Sequence, residues 1–269
     1  MESQSSQPVR SLIDTHIHLD SYEESDQTKI LRDLRVGGVE TVISVSMHLA
    51  SCKRNLELGR VHDKVRPAFG YHPEQPLQSS SDLKKLLEWM EQHVDEMIAV
   101  GEVGLPYYNR MEAETDGHSW DNRPYEAMLE QFIIFAKKFH KPVILHAVYE
   151  DADIACRLLE KHDVTRAHFH WFKGSRETLG RMARNGYYIS FTPDILYEEE
   201  IREIARSYPE HLVMSETDGP WPFEGPFADQ MTHPEMTAAV ASAWAELKGM
   251  SETEARQRLY DNAVTMYGL

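Results

Sequence analysis

The stretch Asp14-Thr15-His16-Ile17-His18-Leu19-Asp20 closes the first apolar run of the chain, and it contains no glycine. Around it, short apolar runs alternate with longer amphipathic ones. Strands are expected over 11–16, 40–46, 66–70, 97–101, 142–146, 166–170, 187–191 and 211–215. Helices are expected over 26–36, 50–62, 81–94, 124–139, 151–162, 175–185 and 198–208, with two more, 234–248 and 251–266, after the last strand. Such alternation means parallel pairing through right-handed crossovers, either in an open doubly wound sheet or in a closed barrel. An open sheet would favour a glycine-rich phosphate loop after its first strand. Histidines and carboxylates stand there instead, so the expected fold is α/β, a single (β/α)8 TIM barrel over 11–269 behind a polar tail at 1–10.

Local signals refine this outline. Asp82 and Ser251 (with Glu254 three residues on) are expected helix starts, and Gly37-Gly38 and Asn185-Gly186 expected stops. The connection from Leu105 to about Arg123 is far longer than the ~2–6 residues usual for a βα loop. It is rich in polar and charged side chains, and a lid or substrate-selecting loop is expected there.

Composition narrows the function. The chain has 269 residues and a formal charge of −16, from 28 Lys and Arg against 44 Asp and Glu. That balance works against a protein that coats DNA through a basic stripe. It leaves open an enzyme that acts on an anionic ester, where the charge inside the pocket matters more than the total. Cys52 and Cys156 give neither a disulfide framework nor metal-type spacing. No apolar run approaches the ~18 residues of a membrane span. With a polar start and no export signal, the expected compartment is the cytoplasm, without a membrane or obligate protein partner.

Histidine placement is the strongest signal. Of 14 histidines, seven (His16, His18, His48, His72, His146, His168 and His170) fall at or just beyond the C-terminal ends of expected strands. Even scatter would put about two there, at ~4 residues per strand end. In this barrel those ends are where active-site residues converge. Alternate strand residues share a face, so His16 and His18 can reach one ion. Glu102 sits in the glycine-flanked Val100-Gly101-Glu102-Val103-Gly104, His146 ends an apolar strand, His168 or His170 ends the next, and Asp218 lies just past the last. Four histidines and two carboxylates suffice for two divalent ions that share a bridging carboxylate.

The ordered motifs DTHIHLD, GYHPEQP, VGEVGL, PVILH, HFHWFKG and SETDGPW resemble those of the TatD family of metal-dependent hydrolases, among the amidohydrolase-type barrels. The resemblance runs from about Ile13 to Ala263. It implies that His16 and His18 hold the first metal, that Glu102 bridges both, and that His146 and His170 hold the second. It implies that Asp218 binds the first metal and handles protons, and that His72 lies near the substrate. His170 rather than His168 is implied because Trp171-Phe172-Lys173-Gly174 follows it. The family's default activity is that of a 3′-exonuclease-like deoxyribonuclease. Three segments depart from the family pattern: Gly104-Leu105-Pro106 in place of GLD, Ala147-Val148-Tyr149 after His146, and 222–233 in place of a basic segment.

The resulting expectation is a hydrolase in which metal-activated water attacks a phosphodiester, with Asp218 as general base. Two divalent ions against two carboxylates make the centre locally positive, which suits an anionic substrate or a nucleic-acid end. By ligand softness Zn, Mn, Ni or Fe suits the site better than Mg, although Mg or Mn is what a nuclease assay would usually include. Lys53, Arg54, Arg110, Lys173 and Arg176 are candidates for phosphate contact. The alternative is hydrolysis of a small ester, lactone or amide, or a metal-binding barrel without turnover.

Overall fold

A computed structural model describes residues 11–34 and 38–269. Among them, eight parallel strands lie side by side in sequence order: β1 (Leu12–Ile17), β2 (Val39–Ser44), β3 (Val65–Phe69), β4 (Ala99–Gly104), β5 (Val143–His146), β6 (Ala167–Phe169), β7 (Tyr188–Phe191) and β8 (Val213–Ser215). Helices follow each in turn: α1 (Glu24–Asp33), α2 (Leu49–Val61), α3 (Ser80–Gln92), α4 (Tyr107–Thr115), α5 (Arg123–Phe139), α6 (Glu150–Lys161), α7 (Arg176–Arg184), α8 (Glu199–Ser207), α9 (Thr237–Lys248) and α10 (Glu252–Tyr267). This is the expected (β/α)8 barrel. The tail at 1–10, the end of the first expected helix and Gly37 lie outside the described residues.

The seam between the last and first strands is made by specific bonds near the rim. Thr15 Oγ1 donates to the Ser215 carbonyl (3.1 Å). The Asp218 amide donates to the His16 carbonyl (2.9 Å), and the His18 amide to that of Gly219 (2.7 Å). The buried Asp14 carboxylate adds a further tie, accepting from the Thr217 amide (3.0 Å) and hydroxyl (2.5 Å). These bonds set Asp218 beside the His16–His18 pair.

Four local expectations change. The fourth strand runs to Gly104 rather than ending at 101, so Glu102 lies within β4. Its glycines are what let β4 approach β5: a Cβ on Gly101 would stand 2.7 Å from Ile144 Cβ, and one on Gly104 1.9 Å from the His146 carbonyl oxygen. The sixth strand ends at Phe169, which leaves His170 just past it. Ser79, not Asp82, caps α3, its hydroxyl accepting from the Asp82 amide (3.1 Å). The connection after Leu105 is not a loop throughout, since α4 occupies its first half. Ser251 does cap α10, and the chain turns at Gly186 (φ 73°) soon after α7.

The largest core cluster packs the barrel against its outer helices, with Phe132, Ile133 and Ala136 of α5 and Trp244 of α9 fully buried in it. A second cluster takes Ile13, Ile43, Ala68, Ala99, Ile144 and Met214 from six strands, and Met266 and Tyr267 of α10 complete it. Truncating a buried aromatic ring loses transfer free energy and leaves a cavity. Phe132→Ala should therefore lower the unfolding free energy by about 3–5 kcal/mol in chemical denaturation. A loss below about 1 kcal/mol would mean that α5 is not held through this ring.

Candidate metal centre

Five of the seven rim histidines converge on one carboxylate. Glu102 is fully buried, and its two oxygens face two different groups. Glu102 Oε2 lies 3.2 Å from both His16 Nε2 and His18 Nε2. Asp218 Oδ1 closes this group at 3.3 Å from His16 Nε2 and 3.5 Å from His18 Nε2. Glu102 Oε1 lies 2.9 Å from His146 Nδ1, 2.8 Å from His170 Nε2 and 3.3 Å from His72 Nε2. His146 Nδ1 and His170 Nε2 are themselves 3.3 Å apart. His16 and His170 stack across the centre, with ring centroids 3.8 Å apart. The strands account for this placement: β1 and its end supply His16 and His18, β4 Glu102, β5 His146, the end of β6 His170, and the turn after β8 Asp218.

The other two histidines do different work. His48 caps α2, its Nδ1 accepting from the Ser51 amide (3.2 Å). His168 is buried between the Tyr267 hydroxyl (2.7 Å from Nδ1) and Ser190 Oγ (2.6 Å from Nε2). Burial holds its pKa well below the usual imidazole value, with the positive field of His16 and His170 adding to it.

Electrostatics at the centre favour charge separation. Burial alone would raise the Glu102 carboxyl, but the surrounding His72, His170 and His16 rings pull it well below the ordinary range. Asp218 behaves alike: burial opposes ionisation, and His16 and His18 overcome it. In return, against its own burial, the His18 ring is pushed up to about 10 by Asp218 and Glu102. His72 stays the other way, lowered chiefly by burial. Its Nδ1 accepts from the Glu74 amide (3.2 Å), which places the neutral ring's proton on Nε2, toward Glu102.

The donor set fits divalent ions. His16 Nε2, Glu102 Oε2 and Asp218 Oδ1 are buried without a hydrogen-bond partner, although such groups are normally satisfied. Imidazole nitrogen and carboxylate oxygen at these positions are the ligand types of Zn, Mn, Ni or Fe sites. His16, His18 and Asp218 lie close enough to share one ion, as do His72, Glu102 and His146.

Two acidic residues join the site without having been singled out from the sequence. Glu216 is buried, its Oε1 3.6 Å from His170 Nδ1, and it groups with His16 and His170 as a further possible ligand set. Its Oε2 accepts from Ser190 Oγ (2.6 Å), which links it to His168. Glu74 accepts from the Tyr108 and Asn109 amides at the start of α4 (both 2.9 Å), and its Oε1 lies 3.4 Å from His146 Nε2. The available signal for both was position: Glu216 stands two residues before Asp218, and Glu74 two after His72, on the same rim.

The candidate phosphate-binding cations are partly committed. Arg110 pairs with Glu150 (2.9 Å) and the buried Asp151 (3.1 Å). Arg54 donates to Gln27 Oε1 (3.1 Å) and lies 3.4 Å from Glu57. Arg176 lies 4.0 Å from Glu203. Lys53 is exposed and Lys173 half-buried.

No helix among the described residues is long and apolar enough to cross a membrane. The family described as TatD related DNase matches residues 13–268. An uncharacterized metal-dependent hydrolase of Haemophilus influenzae is 36% identical over 259 residues, spanning 96% of this chain and 100% of that one. Deoxyribonuclease TATDN3 of Homo sapiens is 27% identical over 265 residues, 95% of this chain and 94% of that protein. Among solved structures, the TatD homolog YjjV of Escherichia coli K12 matches with a TM-score of 0.82 at 26% identity, covering 97% of this chain and 100% of that one. The chain belongs to the TatD family of metal-dependent hydrolases.

Proposed function

We propose that this enzyme hydrolyses phosphodiesters at nucleic-acid ends, with two divalent ions held by His16, His18, Glu102, His146, His170 and Asp218. The observation that carries this reading is the placement of Glu102, whose two oxygens face two separate imidazole groups. The human relative's name, a deoxyribonuclease, supports the substrate class. Ions bound there would act as Lewis acids, polarising a substrate oxygen and lowering the pKa of water toward ~7.

The chain's own groups divide the remaining work. A water oxygen attacks phosphorus, and Asp218, mostly buried but with its side chain 12% exposed and ionised in its surroundings, takes the water's proton on its carboxylate. The bond from phosphorus to the leaving oxygen breaks, and Asp218 returns that proton to the departing alkoxide. His72, with its Nε2 3.3 Å from Glu102 Oε1, lines the position a bound substrate would take. Glu216 holds the backbone after His170 through the Trp171 amide (2.8 Å).

A second reading, hydrolysis of a small ester, lactone or amide, is favoured by the commitment of Arg110 to its own carboxylates. A panel of phosphodiester, ester and lactone substrates, assayed alongside metal analysis, separates the two. Turnover of esters or lactones with none of phosphodiesters would select the second.

Removing the shared carboxylate should be the most damaging single change. Glu102→Ala should lower bound metal from about two ions per chain to one or none and abolish hydrolysis. Retention of two tightly bound ions would exclude the bridging role. His170→Ala should likewise lose one ion, while His168→Ala keeps both and loses stability through its broken bonds to Tyr267 and Ser190. Equal metal loss from both variants would contradict the assignment of His170.

The acidic chain also predicts how it meets nucleic acid. Long-range attraction to a polyanion is weak at a net charge of −16. Fluorescence anisotropy at ~0.15 M salt should give a duplex-DNA Kd weaker than about 1 μM, within the usual non-specific range. Sub-micromolar duplex binding with processive degradation would mean that the rim cations form a groove.

A further inference from the structure

An aromatic shelf stands beside Asp218, and the hydrolytic chemistry does not use it. Trp171 follows His170 directly and adopts φ 39°, a left-handed conformation that is strained for a bulky side chain and that persists only when its surroundings enforce it. Two buried carboxylates enforce it here. Glu216 Oε1 accepts from the Trp171 amide (2.8 Å), and Asp194 Oδ2 from the indole Nε1 (2.5 Å). Asp194 is itself fixed by the Thr192 hydroxyl (2.5 Å).

Against this locked indole stand two further rings. Trp221 meets it edge-on, with centroids 5.9 Å apart, and Phe223 lies at 5.8 Å. Phe223 is buried, whereas Trp221 is 57% exposed. The Trp221 amide donates to the Asp218 carbonyl (3.1 Å), so the exposed ring is tied to the residue that handles protons. On another side of the centre, Tyr108 is 53% exposed and its ring centroid lies 6.0 Å from that of His146. Arg110, the guanidinium nearby on α4, is already paired. Flat π faces border the reacting position, and one of them is held by strain and buried charge.

We propose that Trp221, mounted on Trp171, is a stacking subsite for a planar nucleobase attached to the phosphate that is hydrolysed. The inference rests on the phosphodiester reading above. A base inside a duplex has both faces covered by its neighbours, so the subsite reaches only a base at a strand end or in a single strand. Stacking also tolerates any base, because each has a π face. The same chemistry would accept a free nucleotide or the last nucleotide of a strand.

Isothermal titration separates these cases. Its probes are thymidine 5′-monophosphate, 2-deoxyribose 5-phosphate, and a single strand of about eight nucleotides ending in thymidine or in an abasic residue. In the wild-type protein the base-bearing probe should bind at least about tenfold more tightly than its base-free counterpart, the range of a single base–aromatic stack. Trp221→Ala and Trp221→Leu should reduce that ratio below about threefold, while Trp221→Phe, which keeps a ring, retains most of it. The leucine variant preserves apolar area and guards against a folding defect in the alanine one, with both melting curves checked against wild type. A preference seen with monophosphate and strand alike assigns the base itself as the ligand. One confined to the strand assigns a polymer end. A wild-type ratio below about threefold, or a ratio unchanged in both ring-less variants, overturns the subsite. A preserved ratio in a protein that hydrolyses no phosphodiester discards the reaction assignment and leaves the subsite standing.

Discussion

A carboxylate removed from water at the centre of a barrel must be compensated on both of its oxygens. For Glu102 the uncompensated penalty would be several kcal/mol, and the fold meets it by gathering imidazoles from four other strands. The rest of the architecture follows from that requirement. β4 needs Gly101 and Gly104 so that it can press against β5 and bring Glu102 within reach of His146. The seam from β8 to β1 must close at the rim, because the bonds from the Asp218 amide to the His16 carbonyl and from the His18 amide to the Gly219 carbonyl bring Asp218 to the group. Asp14 is buried to secure the same seam through Thr217.

Much of this was legible in the sequence, and for physical reasons. Strand–helix alternation and the glycine-free DTHIHLD stretch select a closed barrel, and the clustering of histidines at strand ends marks its rim. What the sequence could not display were features without local periodicity. The α4 segment buries none of its residues, so no amphipathic pattern announces it, and its start is held instead by Glu74 from another loop. The expected end of the fourth strand at 101 reflects the weak strand propensity of glycine, which close backbone approach overrides here. Glu216 and Glu74 matter because of neighbours far away in the chain, and such distances have no local signature. His168 and His170 lie two residues apart with the same residue type. The strand ends between them, which sends one ring to Tyr267 and the other to Glu102.

The proposed phosphodiester substrate is an anion, whereas the chain as a whole carries a charge of −16. Many surface carboxylates are neutralised in pairs such as Arg60–Glu96 and Arg181–Glu160, whereas the centre gathers five imidazoles around Glu102 and Asp218. On the phosphodiester reading, attraction would act at short range, inside the rim.

The central claim is that Glu102 is shared by two metal positions. Crystals grown with Mn or Zn and measured at that metal's absorption edge test it most directly. The account predicts two anomalous peaks, one beside the oxygen that faces His16 and His18, the other beside the oxygen that faces His146 and His170. A single peak at saturating metal, or two peaks that leave Glu102 outside both coordination shells, would contradict it.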